Sequence, residues 1–473
     1  MKIFHFILIP VLVSLAACDS TGSRNSGADQ FAVASHFPAA NQADVFPDSA
    51  IEIRFSRELA ASLPAVPVAI TSSSGAASCS CETDESGTMI VCTPDAKLAE
   101  NTSYTVSLSP DIVSADGSPL ADTDYSYGFT TVNRRTTAVQ PVFCSYQSGY
   151  LPVGATLEFS TPLDSAGIYT GASPDPDATA PDSWTLSNTL TAGGTGTLKV
   201  FARIRDEEGV IGSVFSFTYE VVDAFPGVNS SQEITGAAHV ALADTSIAPP
   251  SSCAAFTRGL DRTTASAFDD PGGLLAGGSG MLNLGNTGGV TFTFDQPIAD
   301  GEGADIAIFE NGFLTTGGLI AEYGYVEVSS NGTDYIRFDS ATTRDPSTVP
   351  DPDTTMTGWD TTLDWGVTGR YPAGYGDSFD LAWLRTTRKV VEGRIDLSSI
   401  TYVRIIDIIG MDEARLMGSD TGSAIPRSDH QSLISSILGN YDSLDSFGSV
   451  IFDEYPTVGT GGLDIDAVGV ILW

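Results

Sequence analysis

The residues of this sequence with the clearest chemical potential are carboxylates that stand beside predicted strands in the C-terminal half. Calcium takes about six to eight oxygen ligands from carboxylates, amides and carbonyls. No EF-hand spacing is present, so a calcium site would have to be assembled from distant segments. The candidate ligands of one structural Ca²⁺ are Asp305, Glu310, Asp377, Asp380, Asp464 and Asp466.

The positions of these acids predict that several of them meet at one end of a sheet. Residues 305–311 form an apolar run that leads into an acidic end. Asp464 and Asp466 are two residues apart before the last strand, so they face the same side. Carboxylates that converge repel one another unless a cation or protons neutralise them. The alternative is that each acid caps a loop by accepting hydrogen bonds from backbone amides.

A second constellation is aromatic and lies between residues 359 and 383. Glycine and proline are interspersed with the aromatic residues, so the stretch is not a periodic core strand. Exposed aromatic rings stack on sugars and other flat ligands, which predicts a ligand-binding face. The alternative is a large loop that buries its own rings as a small core. The candidate ligand-binding residues are Trp359, Trp365, Tyr371 and Tyr375, with Trp383 nearby.

Catalytic signatures are scarce, and no catalytic residue is assigned. The sequence has four histidines and contains no nucleophile elbow, zinc-protease helix or phosphate-binding loop. Paired carboxylates can hydrolyse glycosides, but among 59 acids chance pairs are expected. The sequence therefore favours a protein that is not an enzyme.

The cysteines predict one disulfide in a hairpin. After Cys18 there are five cysteines in the sequence, an odd number: Cys79, Cys81, Cys92, Cys144 and Cys253. A turn centred on Ser86 and Gly87 places Cys81 opposite Cys92, whereas a turn one residue earlier selects Cys79 instead. A zinc site is the alternative, but only three thiols cluster and no histidine is near.

The N-terminus has the features of an export signal. Lys2 precedes an apolar run from Ile3 to Val13, which is too short to span a membrane. The segment Leu15-Ala16-Ala17-Cys18 resembles the lipobox of bacterial lipoproteins. That resemblance implies removal of residues 1–17 and lipid attachment to Cys18. The alternative is an ordinary secretory signal. Residues 18–30 are rich in small polar residues and are expected to form a flexible tether.

The composition excludes one class of partner and indicates the fold class. Lys plus Arg number 22 and Asp plus Glu number 59, so the formal net charge is 22 − 59 = −37. Such a charge repels phosphate backbones and makes nucleic acid an unsuitable partner. The content of 48 glycines and 25 prolines favours many turns and short strands over long helices. The predicted fold class is all-β.

The first predicted module spans residues 31–133. Alternating apolar residues occur in Ile51–Ser56 and Tyr104–Leu108, as in half-buried strands. The segments FPDSAIEIRFSREL, CTPDAKLAENTSYTVSL and DGSPLADTDYSYGFTT follow in the order seen in bacterial Ig-like domains, which the module resembles. The resemblance implies a small β-sandwich that acts as a stalk or spacer.

The second predicted module spans residues 138–222. The segment SGYLPVGATLEFSTPLDSAGIYTGASPDPD and the later strands are similar to the small sandwich that ends chitobiase and β-hexosaminidase chains. In that family the module is an accessory, not the catalytic part. Gly171-Ala172-Ser173 replaces the family's Asp-Gly-Ser, which weakens any polar site in that loop.

The third predicted module spans residues 223–473. The segments MLNLGNTGGVTFTFDQPIADGEGADIAIFENGF, AEYGYVEVSSNGTDYIRF, GYGDSFDLAWL, ITYVRIIDIIG and GGLDIDAVGVI resemble a family of bacterial cell-surface domains of mostly unassigned function. Some distant relatives scavenge corrinoids. We expect a jelly-roll-like β domain with long loops and one helix at residues 431–438.

Together these features predict two small β-sandwiches followed by a larger jelly-roll-like domain, held in the bacterial cell envelope by an N-terminal lipid. The favoured location is the outer membrane or cell surface, and Asp19 leaves inner-membrane retention as the alternative. The predicted function is non-catalytic binding of an extracellular ligand, with a glycan first. The main alternative is a structural or adhesive envelope protein without a small ligand. A glycosidase and a corrinoid-scavenging lipoprotein rank lower.

The lipobox makes a direct prediction about the mature protein. Mass spectrometry of the membrane-extracted chain should find no residues 1–17 and an acyl mass on Cys18. The variant Cys18→Ser should lose the acyl mass and the membrane association. Recovery of the wild-type chain in soluble form with an unmodified Cys18 would contradict the prediction.

Overall fold

The fold is all-β, as the composition predicts, and strands are the main regular structure of the described residues. The computed structural model describes residues 30–84, 86–134, 137, 139–163, 167–172, 184–205, 209, 211–243, 247–259, 270–277, 280–285, 288–345, 358–408, 444–449, 451 and 462–471. The signal segment, Cys18, most of the tether and the helix expected at 431–438 lie outside these residues. No helix among the described residues combines the length and apolarity that a membrane crossing needs.

Contacts divide the chain into two units. The first consists of residues through Ala43, Asp48–Leu98 and Thr102–Thr130. The second consists of Asp44–Pro47, Ala99–Asn101 and Thr131–Trp473, so it contains both the second and the third predicted modules.

The first unit contains two four-stranded sheets, ordered β1-β2-β6-β5 and β4-β3-β7-β8. Alternation places Ile51, Ile53 and Phe55 of one sheet inside, which confirms the predicted period of two. The strands are β1 Val33–Phe37, β2 Ile51–Phe55, β3 Val68–Ser72, β4 Gly75–Ala77, β5 Cys79–Thr83, β6 Met89–Pro94, β7 Ser103–Leu108 and β8 Ser126–Thr130.

The predicted disulfide is confirmed. Cys81 on β5 stands opposite Cys92 on β6 and is bonded to it. The register follows from the turn, in which the backbone N–H groups of Gly87 and Met89 bond to Asp84. Gly87 has φ +66°, a left-handed conformation that glycine adopts without steric cost. Cys79, Cys144 and Cys253 are the free cysteines of the described residues.

The second unit begins with a sandwich of a five-stranded sheet, β10-β16-β15-β12-β13, and a three-stranded sheet, β14-β11-β9. Leu157 and Phe159 from one sheet meet Val200, Phe217 and Tyr219 from the other in its core. The strands are β9 Phe143–Cys144, β10 Gly149–Pro152, β11 Thr156–Ser160, β12 Gly167–Gly171, β13 Thr185–Leu186, β14 Thr189–Thr191, β15 Gly196–Arg205 and β16 Phe215–Val222.

The remainder of the second unit is built on two larger sheets. One is ordered β19-β32-β24-β34-β20 with β22 also on β34, and the other β21-β23-β33-β27-β28 with β31 also on β27. Phe292, Ile306, Val326, Ile405 and Val468 share one core between them, so this region is a sandwich as well.

The strands of this region follow in chain order. They are β17 Gly227–Val228, β18 Ile234–Thr235, β19 His239–Ala241, β20 Ile247–Ala248, β21 Ser252–Thr257, β22 Leu282–Asn283, β23 Gly289–Ile298, β24 Ile306–Glu310, β25 Phe313–Thr315, β26 Gly318–Ile320, β27 Gly324–Ser329, β28 Ile336–Arg337, β29 Ala341–Thr342, β30 Asp364–Trp365, β31 Val367–Thr368, β32 Tyr375–Phe379, β33 Ile400–Asp407 and β34 Asp464–Ile471. One short helix, α1, spans Arg388–Val391, and 3₁₀ turns span Pro271–Gly277, Thr361–Leu363 and Leu381–Leu384.

Candidate functional site

The aromatic loop is a small core and not an exposed face. Trp359, Trp365 and Tyr371 are only 8%, 5% and 1% exposed, and Tyr375 is partly exposed. The prediction of an exposed stacking platform was therefore wrong for the first three. Glycine lets the loop pack closely against another segment: Gly366 has φ +74°, and a Cβ there would lie 1.9 Å from the carbonyl oxygen of Asp339. The indoles consequently reach the interior, where burial of their large apolar area is favourable.

Arg370 joins two of these buried rings, Trp365 and Tyr371. Its side chain is fully buried and forms a 2.7 Å ion pair with Asp377. The guanidinium also lies 4.6 Å from the ring centre of Trp365 and donates to the carbonyl of Pro226 at 2.6 Å. Burial alone would lower the pKa of Arg370, but the charge and hydrogen bond of Asp377 together with the nearby Tyr371 and Tyr323 raise it overall. An arginine beside an aromatic cluster is the signal that could have identified this core.

The structure separates the six predicted calcium ligands. Strand register places Asp305 beside one end of β24 and Glu310 at the other, with Asp377 opposite the middle residue Ile308. The prediction that these acids meet at one end of a sheet was therefore wrong for the set as a whole. Asp377 is the ion-pair partner of Arg370.

The acids at the far end bind polar groups of the protein itself. Glu310 accepts a 2.6 Å hydrogen bond from the backbone of Gly312. Asp464 accepts one of 2.6 Å from the side-chain amide of Asn283. Asp466 is partly buried, and that burial raises its pKa.

Two of the predicted ligands do come together. Carboxylate oxygens of Asp305 and Asp380 lie within 4.8 Å of each other and of Asp300, which the sequence did not single out. The backbone N–H groups of Gly301 and Leu381 donate to Asp305 at 2.8 Å. These bonds are the loop caps that the sequence left as the alternative. Of the six predicted calcium ligands, Asp305 and Asp380 are thus the two that remain candidates for one shared ion, together with Asp300, and these three acids form the carboxylate cluster. The Arg385 guanidinium already lies 2.5 Å from Asp300.

Burial raises the pKa values of two carboxyl groups in the carboxylate cluster. Partial burial, followed by the charges of Asp305 and Asp300, raises the pKa of Asp380 to about 6, although a hydrogen bond from Ala382 opposes the shift. Burial also raises the pKa of Asp305. Protonation therefore stabilises the folded state at this position, and ionisation destabilises it.

Asp380 also lines a cleft of about 780 Å³ between the small sandwich and the C-terminal β region. Strand β16, the start of β10 and the first residues of β15 form one wall, and the turn at residues 380–386 forms the other. The residues that line it are Ser148, Gly149, Tyr150, Thr197, Val214, Phe215, Ser216, Thr218, Tyr219, Glu220, Asp380, Ala382, Trp383, Arg385 and Thr386. Sequence analysis missed this junction cleft because its walls are more than 150 residues apart in the chain.

Direct contacts fix the two walls of the junction cleft. The backbone N–H of Gln147 donates to the Asp339 carboxylate at 2.7 Å, and the Gln147 side-chain oxygen accepts from the Asp339 backbone at 3.0 Å. The rings of Tyr146 and Phe447 stack with centres 3.8 Å apart. Gly149 lies against the indole of Trp383, where a Cβ would approach to 3.3 Å. The cleft is therefore formed by two parts that pack as one body.

Comparison with known proteins identifies one region of the chain. Residues 28–131 match the family of bacterial Ig-like domains, which confirms the resemblance of the first module. No curated protein matches the chain.

Three solved structures show how distant the other similarities are. The N-terminal part of the bacterial S-layer protein SbsC is 14% identical with a TM-score of 0.25, over 41% of this chain and 45% of that one. A native α2-macroglobulin fragment from Escherichia coli is 10% identical with a TM-score of 0.24, over 74% and 97%. The SusE-like protein BT2857 is 8% identical with a TM-score of 0.24, over 70% and 97%. Similarities of this size say nothing about what this chain binds, and the chain spans less than half of the S-layer fragment.

The burial of the aromatic loop predicts the effect of truncating it. Trp359→Ala and Trp365→Ala should each lower the free energy of unfolding by about 3–5 kcal/mol, because each removes a large buried side chain. The control Phe313→Ala removes an aromatic side chain that is 52% exposed and should change it little. Urea unfolding of the full chain measures both. Unchanged midpoints for the two tryptophan variants would contradict the assignment as a core.

The raised pKa of Asp380 predicts a pH-dependent effect of neutralising it. Its folded-state pKa of about 6 lies above the ordinary aspartate pKa of 3.8, so its ionisation lowers stability as pH rises between these values. Asp380→Asn keeps an acceptor for Ala382 and should raise the melting temperature by about 2 °C at pH 7.5 but not below pH 4. The exposed Asp396→Asn serves as a control of opposite sign: hydrogen bonds from Ser398 lower the pKa of Asp396, so neutralising it should not raise the melting temperature.

Calcium adds a second arm to this experiment. If the carboxylate cluster binds the ion, millimolar Ca²⁺ raises the melting temperature of the wild type and the gain disappears in Asp380→Asn. Equal melting curves in Ca²⁺ and in a chelator, with no metal found by elemental analysis, would leave these acids as loop caps.

Proposed function

We propose that this protein is a lipid-anchored, non-catalytic protein of the bacterial cell surface that binds an extracellular glycan. The observation that carries this proposal is the junction cleft. Its volume of about 780 Å³ falls within the range of about 300–1,000 Å³ typical of ligand sites. Sites at the interface between modules are common because each module supplies one wall.

The lining of the junction cleft suits a sugar. Tyr150, Phe215 and Trp383 offer aromatic surface, against which the C–H groups of a sugar ring pack. The hydroxyl groups of Ser148, Ser216, Thr197, Thr218 and Thr386 and the charged groups of Glu220, Asp380 and Arg385 offer donors and acceptors. Walls that are already packed together lose little conformational entropy when a ligand binds.

The described histidines support a non-catalytic role. His36 lies 2.6 Å from the carbonyl oxygen of Pro38 and stacks on Tyr127. His239 lies near the rings of Tyr371 and Tyr375. Neither forms a hydrogen bond with a serine or cysteine nucleophile within the described part of the chain, so no nucleophile there has a histidine base.

The remaining parts of the chain support a surface location. The lipobox-like segment supplies an anchor, and the Ig-like domain at residues 28–131 follows it as a spacer. In the chain, the residues that line the junction cleft come after both the lipobox-like segment and the Ig-like domain. The same order suits the alternative, an adhesive or structural protein without a small ligand.

A glycan array probed with the full chain tests the proposal, and the hits are then titrated by calorimetry. Ser216→Trp places a large side chain from the exposed face of β16 into the junction cleft and should abolish binding. Thr156→Trp makes the same addition on the other sheet of the sandwich, also at an exposed position, and should bind as the wild type does.

Three outcomes would overturn parts of this proposal. A chain that retains no glycan supports the adhesive alternative. Binding that survives Ser216→Trp places the site elsewhere. Release of reducing sugar from a bound oligosaccharide makes the protein a glycosidase.

A further inference from the structure

Three sulfur atoms of the first unit converge at the open edge of a sheet. Cys79 and Cys81 lie two residues apart on β5, the edge strand of its sheet, and Cys92 lies opposite Cys81 on β6. The Sγ atoms of Cys79, Cys81 and Cys92 all lie within 4.8 Å of one another. Cys92 is buried, whereas Cys79 and Cys81 are each partly exposed, so the group can be reached from solvent.

Strand geometry explains the convergence. Residues two apart on a strand point to the same face, so Cys79 and Cys81 both point inward between the two sheets. The Sγ of Cys79 lies 3.9 Å from the Sγ of Cys81 and 3.8 Å from the carbonyl oxygen of Val68 on β3. The thiol of Cys79 is therefore held beside the disulfide by both sheets.

The disulfide is the resting state of this group. Burial, followed by the charge of Asp95, raises the pKa of the Cys79 thiol. Since the thiolate is the attacking species in thiol–disulfide exchange, a raised pKa protects the neighbouring disulfide. Cys79 thus stands beside the Cys81–Cys92 bond without disrupting it.

Reduction changes the chemistry of this group. An external dithiol supplies two electrons and two protons, becomes a disulfide, and leaves three thiols on β5 and β6. For a metal–sulfur bond of about 2.3 Å, three thiolates around one ion lie about 4 Å apart. The separation of 3.9 Å between Cys79 and Cys81 already has this value. Once the disulfide is reduced, Cys92 needs only to move until its Sγ lies a similar distance from the Sγ of Cys81.

We infer that the reduced chain binds one Cu(I) ion through Cys79, Cys81 and Cys92, and that the disulfide closes this site under oxidising conditions. Thiolates are soft ligands that select Cu(I), and three of them complete a trigonal site. Zinc takes four ligands, and no histidine or carboxylate among the described residues joins the three thiols. Binding releases three protons from the thiols, since thiolates are the ligands.

The experiment uses the mature full-length chain with Cys144→Ser and Cys253→Ser, which removes the other free thiols of the described residues. The chain is reduced with a phosphine, desalted without oxygen and titrated with Cu(I). One Cu(I) per chain should be taken from a competing chelator, with thiolate-to-copper charge-transfer absorption. X-ray absorption should count three sulfur neighbours. The oxidised chain should bind none.

Cys79→Ser separates the three-thiol site from a simple dithiol. This variant keeps Cys81 and Cys92, so X-ray absorption should count two sulfur neighbours and affinity should fall at least tenfold. Two neighbours in the parent chain, or equal affinity in both chains, would overturn the inference. Loss of cooperative melting of the first unit on reduction would do the same, because the strands must hold the three sulfurs together.

Discussion

The ion pair between Arg370 and Asp377 is the interaction on which the arrangement of the second unit depends. Arg370 lies in the aromatic loop and Asp377 in the middle of β32, so this contact joins the loop to a central sheet. Both groups are fully buried. Removing one partner of such a pair costs about 3–5 kcal/mol because the other charge is left buried alone. Loss of either side chain is therefore expected to destabilise the second unit.

This contact also builds one wall of the junction cleft. The Arg370 guanidinium lies 4.6 Å from the ring centre of Trp365, which in turn packs against Trp383 and against Tyr150 of the small sandwich. Trp383 covers Gly149 at the start of β10. A continuous row of rings thus runs from a buried charge to the surface where the two parts meet. Of the rings in this row, Trp383 and Tyr150 line the proposed glycan site and Trp365 supports them from behind.

Strands and the disulfide could be predicted from the sequence, because they depend on local periodicity. Buried side chains and clusters that depend on contacts between distant segments could not. Alternation in Ile51–Phe55 and the turn at Ser86-Gly87 identified strands and one disulfide, because a strand's faces and a hairpin's register are set within about ten residues. The burial of Trp359 and Trp365 could not be predicted, because it depends on Arg344 beside Trp359, on Arg370 beside Trp365 and on segments distant in the chain. Two of the three members of the carboxylate cluster, Asp305 and Asp380, were predicted. The third, Asp300, was not, because it joins them across a loop.

The acidity of the chain bears on what the junction cleft can accept. The sequence holds 22 basic residues against 59 acidic ones, and several of the described arginines are committed to internal pairs, such as Arg370 with Asp377 and Arg344 with Asp364. Arg385 at the cleft is already paired with Asp300, while Glu220 and Asp380 also line it. An anionic sugar would meet unfavourable charge there as well as the field of the whole chain. The proposed glycan is accordingly expected to be neutral or to carry an amine, since an ammonium group beside Asp380 would offset the repulsion among the clustered carboxylates.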